Sequence, residues 1–73
     1  MFDEQQFLET LAKMFRTDAS ALTVDTLVRE DLGATSQTLF AVSALLEKMS
    51  GKKVNYADVN VCNTLGDIIA LVK

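Results

Sequence analysis

Residues 36–49 read SQTLFAVSALLEKM, which is the longest regular apolar pattern in the sequence. Apolar side chains recur in it every three or four positions, the spacing that aligns them along one side of an α-helix: Leu39, Val42, Leu46 and Met49. Four further residues widen that apolar face: Phe40, Ala41, Ala44 and Leu45. Ser50 and Gly51 follow, and glycine readily takes the left-handed conformation that ends a helix. The pattern predicts a helix from about Ser36 to Met49.

Helical patterns also stand at both ends of the chain. Residues 3–15 carry apolar side chains at helical spacing: Phe7, Leu8, Leu11, Met14 and Phe15. Near the other end, Thr64 and Asp67 have the spacing of a capping box, in which a threonine and an acidic residue satisfy each other's backbone N–H groups. The residues after it predict a last helix that runs to the end of the chain, with this apolar face: Leu65, Ile68, Ile69 and Val72.

Residues 17–35 lack such a pattern and predict a long loop with room for one short helical turn. Isolated apolar residues are expected to anchor this loop on the core: Leu22, Val24, Leu27, Val28 and Leu32. Loops of this length are commonly functional. Residues 56–61 predict one short helix. The fold class is therefore an all-α bundle of three main helices, one short helix and a long first loop, in a single domain over residues 1–73.

The composition excludes several classes of function. Of the 73 residues, 49% are apolar and 23% are charged, as in a globular protein. The sequence has no histidine and one cysteine, Cys62, so a zinc site, an internal disulfide and a histidine-based catalyst are excluded. We therefore expect a chain that is not an enzyme by itself and that holds no metal.

Charge and hydropathy bear on the partners. The net charge is −3 and no basic stripe is present, which argues against nucleic acid binding. Asp3 and Glu4 stand where a secretory signal would be basic, and no apolar run approaches a membrane span. We expect a soluble, unprocessed, cytoplasmic monomer without stable membrane insertion.

Ser36 is the candidate site residue because it stands at the predicted start of the second helix. Free backbone N–H groups and the positive end of the helix dipole favour a phosphate at such a position. Helix physics alone also allows a simpler interpretation, in which Ser36 or Thr35 is an ordinary N-cap.

The segment Asp31-Leu32-Gly33-Ala34-Thr35-Ser36 resembles the one that precedes the modified serine in bacterial acyl carrier proteins. The resemblance extends without a gap over nearly the whole chain. It includes the amphipathic first helix, the long loop and these further positions: Leu46-Glu47, Val54 and Thr64-Leu65-Gly66-Asp67.

This resemblance implies a four-helix fold with 4′-phosphopantetheine attached covalently to Ser36 by a phosphopantetheinyl transferase that uses coenzyme A and magnesium. It also implies a function, the transport of acyl groups as thioesters between acyl-transferring or synthase enzymes of fatty acid, polyketide or related biosynthesis. Aminoacyl carriers, peptidyl or D-alanyl, and carriers that modify a cell-surface polymer would share Ser36. An unmodified protein-interaction module with the same fold is the alternative from another class.

Two residues beside the serine depart from the family pattern. Thr35 replaces the usual aspartate and Gln37 the usual leucine. The second helix of the family is normally acidic, whereas residues 36–55 hold one acid, Glu47, against these bases: Lys48, Lys52 and Lys53. Charged groups tune encounter rate and specificity, which suggests partners with less basic docking surfaces. An apolar docking surface of Phe40, Ala41 and Ala44 is one hypothesis, although Phe40 suits the core equally well.

Five apolar residues of the second half are assigned to the core: Leu46, Val54, Val59, Cys62 and Ile69. The resemblance implies that the same residues can line a cavity that opens for an acyl chain. Cys62 is interpreted as a small buried hydrophobic residue and not as a reactive thiol.

Overall fold

Four α-helices form the bundle in a computed structural model, which describes residues 2–73. They are α1 (Glu4–Met14), α2 (Ser36–Ser50), α3 (Tyr56–Asn60) and α4 (Leu65–Ala70), with a single 3₁₀ turn at Ala19–Ala21 inside the first loop. No β-strand forms within the described residues, although Leu27 and Thr64 make one isolated antiparallel bridge. The all-α prediction is confirmed.

Helix α1 is defined by local signals at both ends. Asp3 caps it by accepting a hydrogen bond from the Gln6 N–H at 3.1 Å, and Phe7 and Leu11 are fully buried. After the helix, Arg16 takes a left-handed conformation with φ 56°, and the Thr17 N–H bonds back to the Ala12 carbonyl at 2.8 Å. Met14, at the end of the helix, is 39% exposed, although the pattern placed it on the apolar face.

Helix α2 is the longest element and follows its prediction within one residue. Leu39, Val42 and Leu46 are buried, and Gly51 ends the helix in the left-handed conformation, with φ 72°. Helix α3 packs against α2, and its Val59 is fully buried in the core.

Helix α4 begins as predicted but ends earlier. Thr64 and Asp67 form the expected capping box, and Leu65 is fully buried directly behind it. The regular helix stops at Ala70, because the N–H groups of Leu71 and Val72 bond three residues back, to Ile68 and Ile69. This tighter winding still buries Val72.

The first loop lies along the chain that leads into α4. The Gly66 N–H donates to the Val24 carbonyl and the Leu65 N–H to the Thr26 carbonyl, each at 3.0 Å. The Val28 N–H donates to the Asn63 carbonyl at 3.0 Å. The prediction that the Val24 side chain anchors the loop is wrong, since it is 55% exposed and the contact runs through its backbone.

The core contains most of the residues assigned to it. Leu46, Val59, Cys62 and Ile69 are buried as predicted, whereas Val54 is half-buried at the edge. Within residues 2–73, no helix combines the length and the apolar character needed to span a bilayer.

Candidate functional site

Ser36 is the first residue of α2, and its side chain is exposed. The preceding Thr35 is the N-cap: its hydroxyl oxygen accepts the Thr38 N–H at 3.3 Å and its carbonyl accepts the Leu39 N–H at 2.8 Å. The two hydroxyl residues therefore have different roles. Thr35 caps the helix, whereas Ser36 is exposed and is not the cap.

The N-terminus of α2 suits an attached phosphate. The N–H groups of Ser36 and Gln37 lack an intrahelical acceptor because of their position in the first turn. The positive end of the helix dipole adds to this preference, and the first turn of α2 contains no acidic residue that would compete. A phosphodiester on Ser36 would fit these residues.

The segment before Ser36 is held in place by backbone bonds. Gly33 has φ 68°, a conformation that costs a residue with a Cβ atom, and its N–H donates to the Arg29 carbonyl at 3.1 Å. The Ala34 N–H donates to the Val28 carbonyl at 3.0 Å, and the Asp31 carboxylate accepts the Leu27 N–H at 2.9 Å. These contacts fix the direction in which the chain enters α2.

Arg29 ties this segment to the end of α3. One guanidinium nitrogen donates to the Asn60 carbonyl at 2.6 Å and to the Asn60 side-chain oxygen at 2.8 Å, and the other reaches the Cys62 carbonyl at 3.4 Å. Arg29 was not predicted from the sequence to take part in the site. The available signal was its isolation, because it is the single base between Arg16 and Lys48 in an otherwise acidic loop.

The outer face of α2 is apolar near Ser36. Phe40 is 62% exposed and lies one helical turn after the serine, with Ala41 and Ala44 exposed beside it. The Phe40 ring contacts the ring of Tyr56 on α3, with 5.8 Å between the centroids and 48° between the planes. Phe40 is therefore exposed on the surface of α2 and is not part of the core.

Two of the four charged residues between 36 and 55, Glu47 and Lys52, bond to the backbone near the far end of α2. The Glu47 carboxylate accepts the Val54 N–H at 2.9 Å, and the Lys52 ammonium donates to the Val72 carbonyl at 2.9 Å. Glu47 is the one acidic residue of α2 and lies three turns after Ser36, so α2 has no acidic stripe beside the serine.

Cys62 is buried, as predicted. Its thiol is buried and donates to the Asp58 carbonyl at 3.3 Å. Burial, followed by the negative charges of Asp67 and Asp58, raises the pKa of the thiol despite the opposing charge of Arg29. The neutral thiol is a poor nucleophile at neutral pH.

A depression of about 240 Å³ lies beside the loop and is lined by Leu27, Arg29, Glu30 and Asn63. It contains none of the five core residues that the resemblance linked to an acyl cavity. Across residues 2–73, no group of three or more histidine, cysteine, aspartate or glutamate side chains is arranged to hold a metal ion.

Comparison with known families decides the assignment. A family model described as "Phosphopantetheine attachment site" matches residues 5–72, nearly the whole chain. The chain belongs to this family. Domains of the phosphopantetheine attachment family carry 4′-phosphopantetheine covalently on a serine, interact with transferases and synthase enzymes, and are typically not catalytic themselves. No curated protein matches the chain.

Proposed function

We propose that Ser36 is the attachment serine and that the protein is an acyl carrier. The observation that supports this most strongly is the placement of the Ser36 hydroxyl, which is exposed at the first residue of α2 beside unpaired N–H groups while Thr35 serves as the cap.

The other serines are less suitable. The sequence has four: Ser20, Ser36, Ser43 and Ser50. Ser43 is buried and donates to the Phe40 carbonyl at 2.7 Å, and the Ser50 hydroxyl accepts the Lys52 N–H at 3.1 Å at the negative end of α2. Ser20 is exposed but lies in a 3₁₀ turn of three residues, which offers a phosphate little dipole.

In the transfer of phosphopantetheine, this chain supplies the acceptor hydroxyl of Ser36 and then the N–H groups beside the attached phosphate. The Ser36 oxygen would form the new bond to phosphorus as the diphosphate bond of coenzyme A breaks, so that adenosine 3′,5′-bisphosphate leaves. The serine proton would pass to a base of the transferase. The first-turn N–H groups of α2 then stabilise the phosphodiester. When bound, the arm supplies a terminal thiol that holds a cargo as a thioester. The tether gives the cargo a high effective concentration near each partner enzyme.

We propose acyl groups of fatty acid, polyketide or related biosynthesis as the cargo and a monomeric, cytoplasmic carrier. The absence of histidine from the sequence supports a non-catalytic role. An aminoacyl cargo is the second candidate, since it would use the same tether on Ser36.

Intact-mass measurement of the protein purified from its own cells tests this proposal. The wild-type chain is expected to carry the phosphopantetheinyl increment, Ser36→Ala to lack it, and the matched control Ser20→Ala to retain it. Additional mass that hydroxylamine removes would identify a thioester cargo and distinguish an acyl from an aminoacyl group. An increment that survives Ser36→Ala would place the arm on another residue, and its absence from the wild-type chain would favour an unmodified interaction module. Either result contradicts the proposal.

A further inference from the structure

Helix α3 is too short to be stable by itself. It has five residues, whereas isolated helices shorter than about 12–15 residues are at best marginally stable in water. Its stability therefore comes from contacts with the rest of the molecule. Val59 supplies one such contact, because its side chain is fully buried in the core.

Arg29 supplies another contact, at the C-terminal end of α3. The last carbonyl groups of a helix lack intrahelical donors. Here the Asn60 carbonyl accepts the Arg29 guanidinium at 2.6 Å, and the Cys62 carbonyl just beyond the helix accepts it at 3.4 Å. The Asn60 side-chain oxygen accepts it at 2.8 Å, and a cationic donor forms stronger bonds than a neutral one. Arg29 therefore caps α3 from a distant part of the chain.

The backbone of Arg29 belongs to residues 29–34, the turn that leads into α2. The Arg29 carbonyl accepts the Gly33 N–H at 3.1 Å, and the adjacent Val28 carbonyl accepts the Ala34 N–H at 3.0 Å. The side chain of Arg29 thus stabilises α3 while its carbonyl stabilises this turn. One residue contributes bonds to both elements.

We infer that Arg29 couples the two elements, so that opening of α3 also loosens the turn at residues 29–34. When α3 unfolds locally, the Asn60 acceptors are lost and the guanidinium is released. A long side chain without its partners regains rotamer freedom, and the turn then depends on its own backbone bonds. A molecule that displaces α3 would thereby change the path of the chain just before Ser36. This coupling does not depend on what Ser36 carries, so it goes beyond the proposed function.

Native-state hydrogen exchange measured by NMR tests the coupling, because the exchange rate of a bonded amide reports how often it opens. Ala57→Gly perturbs α3 directly, since Ala57 is exposed and glycine disfavours helix. We expect exchange to become about fivefold faster at the Val59 amide and at least about twofold faster at Gly33 and Ala34. Ala70→Gly is the matched control, because it makes the same exposed substitution in α4 and should leave the two turn amides unchanged.

A second variant, Arg29→Met, tests whether the coupling depends on the guanidinium. Methionine keeps an apolar stem but has no N–H donor. In this background we expect Ala57→Gly still to speed exchange at Val59 but no longer at Gly33 and Ala34. The four chains form a double-mutant cycle that measures the coupling.

Three results overturn the inference. Turn amides that do not respond to Ala57→Gly would show that the turn does not follow α3. Equal responses to Ala57→Gly and Ala70→Gly would show loss of global stability in place of coupling. A response that persists in Arg29→Met would assign the coupling to another contact, such as the bond from the Val28 N–H to the Asn63 carbonyl. The first two comparisons use chains that retain Arg29, so they decide the question even if Arg29→Met does not fold.

Discussion

Helices α2 and α4 both begin with a threonine cap, but the residues of their first turns differ in burial and charge. In α4, the residue after the cap is the fully buried Leu65, and the Asp67 carboxylate accepts N–H groups from Asn63 and Thr64. In α2, the residue after the cap is the exposed Ser36, and Thr38 stands where α4 has its carboxylate. In α4 the carboxylate adds two bonds to the threonine cap, whereas α2 has the threonine cap alone.

The largest expected difference between the two termini is the effect of removing the side chain that follows the cap. Leu65→Ala should lower the free energy of unfolding by about 2–5 kcal/mol, because it removes a fully buried side chain and leaves a cavity. Ser36→Ala should change it by less than about 0.5 kcal/mol, since Ser36 is exposed and is not the cap. Urea unfolding of both variants measures the comparison. Equal losses would mean that Ser36 has a structural role.

A smaller difference is expected at the next position of each helix. A Cβ atom on Gly66 would lie 3.0 Å from the Val24 carbonyl oxygen and 3.1 Å from the Val24 Cβ atom. Gly66→Ala must therefore push the loop away and stretch its own bond to Val24, which should cost about 1 kcal/mol even though alanine favours helix. Gln37→Ala at the equivalent exposed position of α2 is the control, with little change expected. A stabilised Gly66→Ala would show that the loop moves freely.

The smallest expected effect is a dependence of stability on pH that originates in α4. The N–H groups of Asn63 and then of Thr64 hold the pKa of Asp67 below its ordinary value. A carboxyl group with a lowered pKa in the folded state contributes stability above its unfolded pKa, about 4, and loses it as the pH falls through the folded value. Urea midpoints of the wild-type chain and Asp67→Asn between neutral and acidic pH should show a shallower acid loss in the variant. Parallel curves would contradict this role for Asp67.

Features that depend on nearby residues were predictable from the sequence. The apolar spacing of α2, its end at Gly51 and the capping box of α4 each involve a few neighbouring residues, and all three are confirmed. The early end of α4 was not predictable, because the apolar spacing continues to Val72 in both a regular and a tighter helical winding.

The features that were missed depend on distant residues. Val24 lies in an irregular segment, so no pattern distinguished a buried side chain from an exposed one whose backbone binds Gly66. The three bonds of Arg29 likewise depend on residues of α3 and the chain after it. At the site, Thr35 and Ser36 both suit a cap, and Phe40 lies where the apolar pattern of α2 is widest. Only the three-dimensional placement distinguished these roles.

The backbone bonds between the first loop and the entry to α4 also impose an order on synthesis. The Val24 and Thr26 carbonyls accept N–H groups from Gly66 and Leu65, which are synthesised after Ser36. The loop that leads to Ser36 therefore reaches its final path after the last helix has been made. A nascent chain that contains Ser36 but not yet α4 lacks these bonds, so the path of the loop before Ser36 depends on residues made after the serine.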